Sequence, residues 1–159
     1  MSKQQGFTLI EVLIYLGLFS VIFVSLLASA FVILRGINST ETKAMVLEEG
    51  NFLLAKFDWA VAGATAVSVV SNPPSLNISR FSNPITLTFS LNGNNLQMNR
   101  GAGAVTLNNS NVIVSNLVFS NIGAGTQVES VQVTFILSAK TSSGQDYSQT
   151  FIATKYLKK

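Results

Sequence analysis

The chain has no cysteine and no histidine. The first absence excludes disulfides, thiol nucleophiles and cysteine-ligated zinc. The second removes the commonest general base and metal ligand. Proline is scarce, with three in 159 residues, and so is charge, at 11% of the chain. The basic residues do not gather: Arg35, Lys43, Lys56, Arg80, Arg100 and Lys140 are scattered, and only Lys155, Lys158 and Lys159 come together. A nucleic-acid binder concentrates Lys and Arg on one face or in one run. The terminal lysines therefore read as a solvated chain end.

What the chain has in excess is apolar sequence, and it is unevenly spread. Mean hydropathy is +0.43, and residues 12–34 contain no charge at all. As a helix this run measures ~35 Å at ~1.5 Å per residue, enough to cross a hydrocarbon core of ~30 Å with modest tilt. A secretory signal has an apolar stretch of only roughly 7–15 residues before a small-residue cleavage site. Ala28-Ser29-Ala30 has that A-x-A form, but apolar residues continue from Phe31 to Leu34. The run reads as a retained span. Lys3 precedes it and Arg35 and Lys43 follow it, so the positive-inside rule leaves its orientation open.

At the mouth of the span stands Glu11. A carboxylate there needs a reason, because charge within a span is costly and marks function when a partner can be named. One reason is local. Thr8-Leu9-Ile10-Glu11 fits the T-x-x-E capping box, in which both side chains satisfy free N–H groups at a helix start, and an acid in the first turn complements the helix dipole.

The wider motif carries a second reason. Gly6-Phe7-Thr8-Leu9-Ile10-Glu11-Val12-Leu13 is similar to the cleavage and methylation motif of type IV prepilins and type II secretion pseudopilins. In that family a short basic leader ends in glycine, and a hydrophobe, a threonine, two apolar residues and a glutamate run straight into the span. The resemblance implies that a prepilin peptidase cuts between Gly6 and Phe7 from the cytoplasmic side and that Phe7 is then N-methylated. It implies that Glu11 aligns an incoming subunit with the methylated amine of a neighbour. Two opposite charges that each lose hydration among apolar helices compensate one another when paired. The cap at Thr8 is compatible with that pairing. The implied partners are other pilins or pseudopilins along the N-terminal helix, the prepilin peptidase, an inner-membrane assembly platform, and lipid before assembly. Nucleic acid enters only if the filament serves DNA uptake.

Beyond the span, residues 40–64 are rich in helix formers, with Val46, Leu53, Phe57, Ala60 and Ala64 at helical spacing. Gly36 and Asn38-Ser39-Thr40 are placed to loosen the helix between its halves. Phe52 and Trp59 lie to one side of the stripe. From Ala66 the period changes to two. Residues 85–91 alternate without error, Asn92-Gly93 is a hairpin signal, and residues 95–100 return. Further strands are expected over 105–107, 112–119, 131–137 and 147–156, with glycine-rich turns and Pro73-Pro74 and Pro84 as punctuation. This predicts an α+β fold: a long N-terminal helix, its first half transmembrane, packed by its second half on a mainly antiparallel β-sheet head. The expected segments are a leader over 1–6, a membrane and filament-core helix over 7–34, a helical stalk over 35–65 and the head over 66–159.

The strand order in the second half resembles that of minor pilins and minor pseudopilins. Major pilins often carry a C-terminal cysteine pair, missing here. Major pseudopilins often bind calcium, which needs several carboxylates, whereas Asp146 stands almost alone. Both departures favour a minor, initiating or tip subunit. No catalytic constellation emerges, and no cofactor or metal is expected. Glu41, Glu48, Glu49 and Asp58 read as solvated charges of the stalk. Glu129 and Asp146 flank neighbouring strands, thin support for acid–base chemistry. Gly101-Ala102-Gly103 lacks the lysine and helix of a phosphate loop. Two rival readings remain: a plain single-pass anchor displaying an extracytoplasmic β-rich binding or adhesion domain, and an exported enzyme, disfavoured by the missing His and Cys.

Overall fold

A computed structural model of the chain describes residues 8–80, 83–123, 130–141 and 144–157. One helix, α1 (Leu9–Ala62), is followed by eight strands: β1 (Ala64–Ser71), β2 (Pro74–Arg80), β3 (Asn83–Asn92), β4 (Asn95–Asn99), β5 (Ala104–Thr106), β6 (Ile113–Ile122), β7 (Ser130–Lys140) and β8 (Asp146–Tyr156). The α+β architecture expected from the sequence is present: a long apolar helix and antiparallel sheets. The chain divides into two compact units, Met1–Thr40 and Glu41–Lys159. Helical structure runs without interruption through Gly36–Thr40, the stretch expected to loosen the helix between its halves. The Thr40 hydroxyl bonds back to the Gly36 carbonyl at 3.0 Å, which occupies a polar group that could otherwise compete with the helix.

In the second unit, Val46, Leu53, Phe57 and Ala60 of the expected stripe are buried on α1 together with Val61, whereas Ala64, expected on the same stripe, lies past the end of α1 and is buried in β1. They pack into one core with the inward residues of both sheets, among them Leu76, Ile78, Phe89, Val133, Phe135 and Leu137. Each such aliphatic or aromatic side chain contributes roughly 1.5–3 kcal/mol on full burial.

The sheets have strand orders β1-β2-β3-β4-β5 and β6-β7-β8, all pairs antiparallel. Three contacts fix the direction of β8. Lys43 lies over the Tyr147 ring at 5.8 Å, the Phe151 ring lies against Gly50, and Lys155 pairs with Asp58 at 2.8 Å. Helix and strand numbers rise together, so β8 runs with α1, and antiparallel pairing makes β7 run against it. Phe151 also stacks on Phe135 with centroids 5.5 Å apart. A Cβ at residue 50 would overlap the Phe151 ring, which explains a glycine in the middle of a helix despite its poor propensity.

Several details correct the sequence reading. β1 and β2 were not anticipated. Asn72-Pro73, a cis peptide, turns between them, and Pro74 opens β2, a position where a missing N–H is tolerated. The irregular alternation in β6 comes from a bulge between Ser115 and Val118, with Asn116 at φ 49°. The extra residue shifts parity, so Val114, Leu117 and Phe119 all face the core. Glu49 and Asp58 are not simply solvated stalk charges. Glu49 Oε1 accepts the Asn109 amide at 2.8 Å, and Asp58 holds Lys155, which in turn is not part of a solvated chain end.

Buried Asn108 joins β4 to the approach to β6. Its Oδ1 accepts the Leu96 amide at 2.8 Å. Its Nδ2 donates to the Val112 carbonyl at 2.8 Å and to Asn95 Oδ1 at 3.2 Å.

Candidate assembly site

The first unit holds the motif residues that the structure describes. Thr8 directly precedes α1, and its carbonyl accepts the amides of Glu11 and Val12 at 3.1 and 3.3 Å. The Glu11 amide, which a capping box assigns to the threonine hydroxyl, is thus taken by the threonine backbone. Glu11 itself is half-buried by its own helix. Gly6 and Phe7, the expected cleavage and methylation residues, lie outside the described residues, as do Lys3, Glu129, Lys158 and Lys159.

From Leu9 to Leu34 the large apolar side chains are exposed, Leu9 to 82%. The helix is long and apolar enough to cross a membrane. Exposure of a continuous apolar surface far beyond what soluble monomers carry means that lipid or protein must cover it. Polar groups within it are already satisfied. Ser20 donates to the Gly17 carbonyl (2.8 Å), Ser25 to Ile22 (2.7 Å) and Ser29 to Ser25 (3.0 Å). In hydrocarbon an unbonded hydroxyl is costly, and these bonds remove the cost within the helix. Just after Glu11, Val12, Tyr15, Leu16 and Phe19 line a shallow groove of about 370 Å³. Phe19 stacks on Phe23 at 5.8 Å.

Residues 1–27 match the family model described as the prokaryotic N-terminal methylation motif. The match supports a type IV prepilin-like protein and, with the apolar helix that follows, a membrane-anchored one. No curated protein and no solved structure matches the chain significantly.

The second unit shows a feature that the sequence did not reveal. Trp59, the one tryptophan, is 43% exposed. Arg80 Cζ lies 4.4 Å from its ring centroid and Arg100 Cζ 5.1 Å. The three residues come from α1, the end of β2 and the residue after β4, so no linear pattern could join them. The remaining acid considered for chemistry, Asp146, is exposed and stands opposite Lys140 in the β7–β8 register. Among the described residues no cluster of three or more acidic residues could hold a metal ion.

Proposed function

We propose that this chain is a prepilin-like structural subunit that waits in the bacterial cytoplasmic membrane and is assembled into a type IV pilus or a related pseudopilus. The observation that carries this reading is the methylation-motif match over residues 1–27, which runs into a helix whose apolar side chains are exposed from Leu9 to Leu34. The segments play distinct parts: residues 1–6 are a leader to be removed, residues 7–34 are the span and then the filament core, and residues 35–65 and 66–159 form stalk and head. The N-terminus is cytoplasmic and the head extracytoplasmic. Cleavage between Gly6 and Phe7 creates the amine that Glu11 of a neighbouring subunit meets, so processing gates assembly. The lack of cysteine and the isolation of Asp146 support a minor, initiating or tip component.

Mass spectrometry of the membrane-extracted protein tests the reading. A mature N-terminus at methylated Phe7 is expected. An intact Met1, in cells that process other prepilins, would leave the plain single-pass anchor in its place.

A further inference from the structure

The outward side of α1 in the second unit carries charges of both signs that form no ion pair among the described residues. Glu41, Glu48 and Trp59 are seven and eleven residues apart, which at ~100° per residue sets them within roughly 20° of one line. All three are exposed. At the N-terminal part of this line stand two carboxylates. At its C-terminal part stands Trp59 with Arg80 and Arg100, and Lys56 lies over the Phe52 ring at 5.2 Å. Among the described residues the ion pair present is Asp58–Lys155. Glu41, Glu48, Lys56 and Arg100 therefore face no opposite charge at salt-bridge distance there. Beside Glu48 a groove of about 510 Å³ opens between Met45 and Phe52 on the helix and Leu107–Asn109.

We propose that the Trp59 corner of one copy of this chain docks in the Glu48 groove of a second copy, displaced along the helix by ~16 Å, the rise of the eleven residues between them. The proposal rests on the filament reading. The occupant is a second copy because acid and base lie on one line of one helix. At equal height, like charge faces like. Displaced, Lys56 and Arg100 meet Glu48 while the indole enters the groove. Trp and Arg are the residue types that dominate interface energetics, and Met45 supplies an adaptable wall. The contact joins two different surfaces of copies displaced along the helix, so it is not a closed twofold interface. Copies anchored by identical spans sit at one depth in a bilayer. The charges then oppose the contact until one copy has been raised, which ties it to assembly. Two adjacent copies suffice, so the contact is compatible with a minor component.

The absence of cysteine makes the test direct. A chain carrying Ala44→Cys and Ala55→Cys, exposed positions eleven residues apart on the same side of α1 that leave every charge of the contact in place, treated in cells with a short bis-maleimide, is expected to give cross-linked dimers of this chain in sheared filaments and none in the membrane fraction. Charge reversal by Glu41→Lys with Glu48→Lys, or by Lys56→Glu with Arg100→Glu, is expected to lower recovery in filaments about tenfold or more, with normal amounts in the membrane. All four changes together are expected to restore most of the recovery. Filaments that contain the chain without such dimers, cross-links to other subunits alone, or a fourfold variant no better than the double ones would overturn the contact and leave the filament reading standing. Wild-type chain that keeps Met1 and never enters filaments would overturn that reading and the contact with it.

Discussion

Arg80 closes the C-terminal end of α1: its Nη2 donates to the Trp59 carbonyl at 2.9 Å while its guanidinium lies over the Trp59 ring. The last four carbonyls of a helix lack partners in the helix, and the last turn of α1 contains no basic residue. β2 supplies the missing cation. Gly63 lets it approach, since a Cβ there would come within 2.6 Å of Nη2. Arg80→Ala is expected to destabilise the second unit by about 1–3 kcal/mol. The lone tryptophan reports on it: urea unfolding in detergent followed by Trp59 fluorescence should show a lowered midpoint. An unchanged midpoint would make the contact incidental.

Gly50→Ala tests the helix–β8 approach. The added methyl must push the Phe151 ring away from Gly50 and disturb its stack on Phe135. The gain in helix propensity, up to ~1 kcal/mol, opposes an overpacking cost of about 1–3 kcal/mol, so net destabilisation is expected. Adding Phe151→Leu should recover part of the loss in the same unfolding measurement, and no recovery would place the cost elsewhere.

Asn108→Ala removes the partners of the Leu96 amide and the Val112 carbonyl together. Two polar groups left unsatisfied at about 1–3 kcal/mol each predict a loss of roughly 2–5 kcal/mol. Asn108→Asp keeps the acceptor for the Leu96 amide but sets a carboxylate oxygen against the Val112 carbonyl and Asn95 Oδ1, and should cost at least as much as the alanine variant. Hydrogen exchange of the Leu96 amide separates the two: it should quicken in the alanine variant and stay slow in the aspartate one.

Asp58→Asn, by contrast, should change little. The ion pair with Lys155 is well exposed, at 36% and 56% of the two side chains. Exposed pairs contribute about 0–1 kcal/mol and are screened by salt. A shift in melting temperature that persists at high salt would mean that this contact does more than its exposure suggests.

Glu11→Ala is expected to leave cleavage and membrane insertion intact and to block incorporation. Competition with wild type, scored in sheared filaments, checks it, and equal recovery would remove the pairing role.

The parts of this fold that could be read in the sequence are those with a strict period or a fixed motif. Val46, Leu53, Phe57 and Ala60 mark the buried face of α1, and the hairpin about Asn92-Gly93 follows from its turn residues. β1 and β2 escaped because Val69-Val70 breaks the alternation and Pro73-Pro74 reads as a loop, although Pro74 begins a strand. β6 looked irregular because one extra residue at Asn116 changes which side faces inward. At the candidate assembly site Thr8 and Glu11 were legible from their spacing in the motif. The Trp59 corner was not, since only the return of β2 and β4 to the end of α1 brings Arg80 and Arg100 to it.

Ser20, Ser25 and Ser29, the serines of the span, each turn a hydroxyl back on their own helix. A neighbouring helix travelling along that surface meets methyl and phenyl groups and has no serine hydrogen bond to break. Glu11 is the carboxylate it meets there, at the helix start. On the filament reading proposed above, the span is then a rail with one stop: smooth for sliding, in lipid or against protein, and indexed at a single point.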